Sequence, residues 1–119
     1  MDIWKKDIPK KKIGKCVSGK EILNIIANRN FESGNLTLEL CARDGSCIED
    51  FTIGLKTNYD LKQSEVFLNT KKYPEAMEFI VENKLGSNED YKEYYRGFEY
   101  PLCSINIIMI HKYNGKEKK

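Results

Sequence analysis

Hydrophobic and polar positions alternate most cleanly over residues 36–41, where Leu36, Leu38 and Leu40 interleave with Thr37, Glu39 and Cys41. A period of two marks a half-buried strand with one wet face. Asp44-Gly45 follows, and this pair suits a two-residue type I′ turn, whose central residues need positive φ. A hairpin closed there sets Arg43 opposite Ser46, Ala42 opposite Cys47 and Cys41 opposite Ile48. Cys41 and Cys47 then point to opposite faces of the sheet. A three-residue loop would bring the two cysteines together, but it would also turn Asp50 toward the leucine face, so the shorter loop is preferred. Phe51, Ile53 and Leu55 continue the inner face on the returning strand, with an edge position or bulge at Glu49.

Residues 20–31 fit two patterns. Ser18 and Glu21 have the spacing of a capping box, after which Ile22, Leu23, Ile26 and Ala27 line one helical face. Leu23, Ile25, Ala27, Arg29 and Phe31 also alternate as in a strand. Gly34-Asn35 turns the chain. Residues 55–62 form a polar loop and residues 66–69 a short strand. Pro74 opens a helix over residues 74–85, and Gly86 closes it as a left-handed cap. Ala76, Met77, Ile80, Val81 and Leu85 share the face that covers the sheet. Phe79 falls beside Glu75, Glu78 and Glu82, either exposed among carboxylates or packed under a neighbouring loop. Residues 87–100 are a polar loop dense in aromatics, and residues 102–113 a central strand with Pro101 just before it.

The chain has 119 residues and is 40% hydrophobic, enough for one domain with a core. No apolar run approaches the ~20 residues of a membrane helix. The lysine-rich beginning lacks the apolar stretch of a secretory signal, so a cytoplasmic setting with reduced thiols is expected. The net charge of +2 hides a split: residues 1–20 carry +5, residues 111–119 carry +3, and the body between them carries −6. Residues 1–17 therefore read as a basic arm, residues 18–113 as one domain and residues 114–119 as a basic tail. An acidic body does not suit duplex binding, which relies on neutralising phosphates. Lys10, Lys11, Lys12, Lys118 and Lys119 remain the candidates for touching nucleic acid.

Little of the remaining chemistry suggests catalysis. Cys16, Cys41, Cys47 and Cys103 follow no metal-ligand spacing, and His111 is the lone histidine, so no metal or cofactor is expected. Residues 14–20 match a phosphate-binding loop as far as Lys20, but Glu21 stands where magnesium coordination needs Ser or Thr. A small enzyme would require a pocket in which His111 or a carboxylate pair converges. The better candidate is adhesive: Tyr91, Tyr94, Tyr95, Arg96 and Phe98, with Phe79, form a partner-binding surface, because Tyr and Arg dominate interaction hot spots. The same residues could stack single-stranded bases, with Lys92 and Arg96 on phosphates.

Several segments taken together carry a resemblance: Gly34-Asn35-Leu36-Thr37-Leu38-Glu39-Leu40, Asp44-Gly45, Phe51-Thr52-Ile53-Gly54-Leu55, Phe67-Leu68-Asn69-Thr70, residues 73–83 with Leu85-Gly86, and residues 96–102. Their order resembles a family of small uncharacterised proteins, a domain of unknown function carried by phages, plasmids and conjugative elements of Gram-positive and gut bacteria. The likeness spans about residues 20–108. It implies a strand rather than a helix over residues 20–31, a bacterial or phage cytoplasm and a mobile-element setting, and it brings no catalytic residue or cofactor. The expected fold is α+β: an antiparallel sheet of about four to five strands with one helix on one face. The expected function is a non-catalytic interaction protein that binds and modulates or inhibits a host or element protein, an anti-defence role being one form of it. The alternative is a nucleic-acid accessory factor using the lysine-rich ends.

Overall fold

The computed structural model describes residues 16–55 and 59–116. Among the described residues, eight strands form two four-stranded antiparallel sheets, accompanied by two helices. The first sheet runs in the order β1 (Cys16–Val17), β2 (Lys20–Arg29), β3 (Leu36–Ala42), β4 (Cys47–Ile48). The second runs β5 (Thr52–Ile53), β6 (Glu65–Leu68), β8 (Phe98–Ile105), β7 (Gly86–Tyr95), and the helices are α1 (Ala76–Glu82) and α2 (Ile107–Lys116). The α+β class holds, with a second sheet and a second helix beyond those expected.

Residues 20–29 are strand, and the capping-box reading fails for a local reason. Ser18 and Gly19 both take positive φ, so they form the tight turn between β1 and β2 rather than a helix start. The backbone N–H of Ser18 donates to the Glu75 carboxylate just before α1. In β3 the alternation is complete: Leu36, Leu38, Leu40 and Ala42 are buried, and Thr37, Glu39 and Cys41 less so.

The turn after β3 departs from the expected register. Cys41 pairs with Cys47 and Leu40 with Ile48, so residues 43–45 form a three-residue loop. Gly45 N–H donates to Ala42 O at 3.0 Å and Ala42 N–H to Ser46 O at 2.8 Å, with only Gly45 at positive φ, 95°. This is a type I turn closed by a glycine bulge, which Asp-Gly accommodates as readily as the shorter turn. Asp50 does not reach the leucine face, because the chain leaves the first sheet at Glu49–Asp50, where Asp50 has φ 29°. Phe51 enters the main core and its N–H donates to Leu38 O at 3.0 Å, tying the two sheets together. Ile53 and Leu55 leave the inner face and join a separate cluster behind the second sheet.

The main core draws on both sheets and both helices: Leu36, Leu38, Leu40, Phe51, Val66, Leu68, Phe79, Ile80, Ile110 and Tyr113 meet there. Phe79 is 1% exposed and lies edge-on to Phe51 and Tyr113 at 6.2 and 6.3 Å. Its assignment to the partner-binding surface is corrected, since the buried arc of α1 is Ala76, Phe79 and Ile80 and leaves Val81 exposed. The helix end differs too. Lys84, at φ 60°, takes the left-handed position; its N–H donates to Val81 O, and Leu85 N–H donates to Ile80 O. That is a Schellman closure with lysine in place of the usual glycine.

Two further expectations fall. Residues 87–100, read as a polar loop, are mostly the long hairpin of β7 and β8, turned by Arg96-Gly97 at φ 53° and 83°. The apolar run after Pro101 is a strand only as far as Ile105. Asn106 then accepts the Met109 N–H on its side-chain oxygen, a helix N-cap, and α2 follows. Ile107, Ile110 and Tyr113 turn inward at helical spacing, while Ile108 is 68% exposed. Tyr113 OH donates to Ile22 O at 2.7 Å, and the Asn114 side chain both accepts from Ile25 N–H and donates to Ile25 O. These bonds clamp α2 onto β2.

Candidate functional site

The β7–β8 hairpin gathers the aromatic residues that the sequence singles out and sorts them by face. Its register pairs Tyr95 with Phe98, Tyr94 with Glu99, Glu93 with Tyr100 and Lys92 with Pro101. Alternation therefore puts Tyr91, Tyr95, Phe98 and Tyr100 on one face and Tyr94 on the other. The five candidates are thus not one patch. Tyr94 is 69% exposed, beside the Lys92–Glu99 ion pair at 3.8 Å.

The opposite face holds a second apolar cluster. Phe67, Tyr100 and Leu102 are buried in it, with Ile53, Leu55, Tyr59, Leu61, Tyr95 and Phe98 packed around them. Tyr59 lies 4.9 Å from Tyr91 and edge-on to Phe67 at 6.1 Å. Its hydroxyl donates to buried Glu65 at 2.9 Å, and the Lys62 N–H donates to the same carboxylate oxygen. Those two donors satisfy a carboxylate that would otherwise be costly to bury. Both phenols are held above their usual titration range, chiefly because each donates to a carboxylate, Tyr59 to Glu65 and Tyr91 to Glu93. Sequence reading missed Tyr59, although Leu55, Tyr59 and Leu61 already broke the polarity of that segment.

At the hairpin tip the Arg96 guanidinium lies 5.4 Å from the centre of the Tyr95 ring. At this distance the cation is attracted by the quadrupole of the ring. Tyr91 is 38% exposed and Phe98 half-buried, so this face shows an aromatic rim rather than a pocket. The hairpin's Glu89, Asp90, Glu93 and Glu99 outnumber Lys92 and Arg96, leaving it acidic. Phe79 contributes nothing here, being inside the main core. Lys10, Lys11, Lys12, Lys118 and Lys119 lie outside the described residues.

The clefts lie elsewhere. One of about 380 Å³ is lined by polar residues such as Asn30, Thr37 and Asp50 together with apolar Leu36, Ile53 and Phe67. His111 lines another with Ile25, Ala27, Arg29, Ile107 and Asn114. Among the described residues no three of His, Cys, Asp and Glu gather to hold a metal, and no helix is long and apolar enough to cross a membrane. Cys103 is fully buried in β8, where burial above all, and then the charge of Glu89, pushes its thiol up to about 12. No family model, curated protein or solved structure matches the chain.

Proposed function

We propose that this is a small non-catalytic binding protein that holds a protein partner on its β7–β8 hairpin. The observation that carries the reading is Tyr94, 69% exposed on an edge strand, two residues from Arg96 at the hairpin tip and on the face opposite Tyr95. Tyrosine and arginine supply large, preorganised contact area, and they are the residue types most enriched where binding energy concentrates. An edge strand also offers unpaired backbone groups to an incoming chain. The acidic hairpin favours a basic partner surface and disfavours phosphate. The resemblance to small mobile-element proteins points to a host or element protein in a bacterial cytoplasm as the partner, modulated or inhibited by being bound. An anti-defence role is the specific form of that proposal.

The test compares the wild type with Tyr94→Ala combined with Arg96→Asn, immobilised in bacterial lysate. Asn-Gly is well suited to a two-residue turn at positive φ, so the hairpin survives the change. A bound protein should lose affinity by about 30-fold or more, the effect of removing a hot spot of ~2 kcal/mol. Partners captured equally by both forms would sink the assignment of the hairpin. Recovery of nucleic acid instead, insensitive to this variant and lost on removing residues 1–15 and 117–119, would favour the charge-split reading, in which the lysine-rich ends bind phosphates.

A further inference from the structure

We infer that Cys41 and Cys47 form a reversible disulfide across the β3–β4 hairpin, closed by exchange with a small-molecule disulfide. The two residues are direct partners in the register, and their sulfurs lie 2.7 Å apart. Ala42 and Ser46, one step toward the loop, are linked by the Ala42 N–H to Ser46 O bond. Hydrogen-bonded and non-bonded pairs alternate along an antiparallel ladder, so Cys41 and Cys47 occupy a non-hydrogen-bonded pair. Such pairs hold Cα atoms ~4.5 Å apart, within the 4.4–6.8 Å that a disulfide spans.

The loop is already organised for closure. Asp44 Oδ1 accepts from the Ser46 N–H at 2.9 Å and from the Ser46 hydroxyl at 2.6 Å, bonds that hold the Asp44 carboxyl below its usual range. Lys20 Nζ reaches across from β2 to Ser46 Oγ at 2.9 Å and to Asp44 at 3.6 Å. Cys47 is exposed and Cys41 half-buried, so an incoming reagent meets Cys47 first. Burial, the adjoining Cys47 thiol and the charge of Glu39 push Cys41 up to about 11.

The exchange balances. Cys47, having lost its proton, attacks one sulfur of a disulfide RSSR; the S–S bond of the reagent breaks, and RS⁻ leaves and takes up that proton. Cys41, deprotonated in turn, attacks Cys47 Sγ and expels the second RS⁻, which takes the second proton. The protein dithiol is oxidised, and one RSSR is reduced to two RSH. The product fixes β4, an edge strand of only two residues, in register against β3.

Arg43 stands in the loop between the two cysteines, which makes the test direct. The full chain is incubated with oxidised glutathione, its remaining thiols are alkylated, and it is digested with trypsin without reductant. Cleavage after Arg29, Arg43 and Lys56 releases residues 30–43 and 44–56 as separate peptides unless a disulfide joins them. The linked species is expected, together with a rise in Tm of about 5–10 °C that reductant reverses and that is absent in Cys47→Ser. The double variant Cys16→Ser with Cys103→Ala, though less stable for the loss at buried Cys103, should give the same linked species and the same reductant-reversible shift. Separate alkylated peptides, stable glutathione adducts on either cysteine, or bridges to Cys16 or Cys103 would each overturn the inference.

Discussion

Phe79 separates the two roles that the sequence left open for an aromatic on α1. The structure puts its ring in the main core, 1% exposed and edge-on to Phe51 and Tyr113. Phe79→Ala removes that ring from a site with both sheets and both helices around it, so the surroundings can collapse only partly. Lost transfer energy and the residual cavity together cost about 3–5 kcal/mol in such sites. The two edge contacts, worth about 0.5–1.5 kcal/mol each, place this one in the upper half of that range. A loss of about 4 kcal/mol is a large share of the 5–15 kcal/mol that holds an ordinary domain together. At this chain length it lowers Tm by about 15 °C. Urea denaturation followed by far-UV circular dichroism measures it, with Tyr94→Ala alongside. Tyr94 is exposed, so its removal should stay within about 0.5 kcal/mol of wild type. A cost below ~1 kcal/mol for Phe79→Ala would refute the core placement and return Phe79 to the surface.

Two further expectations follow from the same packing. Gly86→Ala should destabilise by about 2–3 kcal/mol, because an added Cβ would overlap the Ser104 backbone carbonyl and press on Ile80 Cγ2 at 3.1 Å, and backbone yields least to overpacking; a thermal melt within ~2 °C of wild type would contradict it. Cys103, pushed up to about 12 from an ordinary 9.0, keeps its proton in the folded state after the unfolded chain has lost it. Its contribution to stability is therefore whole below pH 9 and is lost as pH rises toward 12. Denaturant midpoints of wild type and Cys103→Ala should diverge across that window, and parallel curves would show that the thiol is not protected.

Where alternation or punctuation was strong, the residues alone sufficed. The leucine alternation of β3, the presence of a turn at Asp44-Gly45 and a helix after Pro74 follow from local rules, since each depends on neighbours a few positions away. Asp44-Gly45 shows the limit of those rules. It suits a two-residue or a three-residue loop, and the choice depends on where the chain must go next, into the second sheet through Phe51. That choice alone decides whether Cys41 and Cys47 share a face.

The hairpin of residues 86–105 was obscured for a related reason. Its charged and tyrosine-rich strand β7 is mostly exposed and covered only by scattered tyrosine contacts, so it lacks the strong one-sided apolar pattern that announces a strand. The run after Pro101 carried the opposite ambiguity, apolar enough for either a strand or a helix. Asn106 was the local signal, and packing against β2 made it decisive. From its order of residues this protein owes the α+β class, the acidic body between basic ends and the aromatic content of its exposed hairpin. Which aromatics stay outside, which cysteines meet and which face of each helix is covered were decided by tertiary contacts, because burial is a property of the assembled surfaces and not of any one segment.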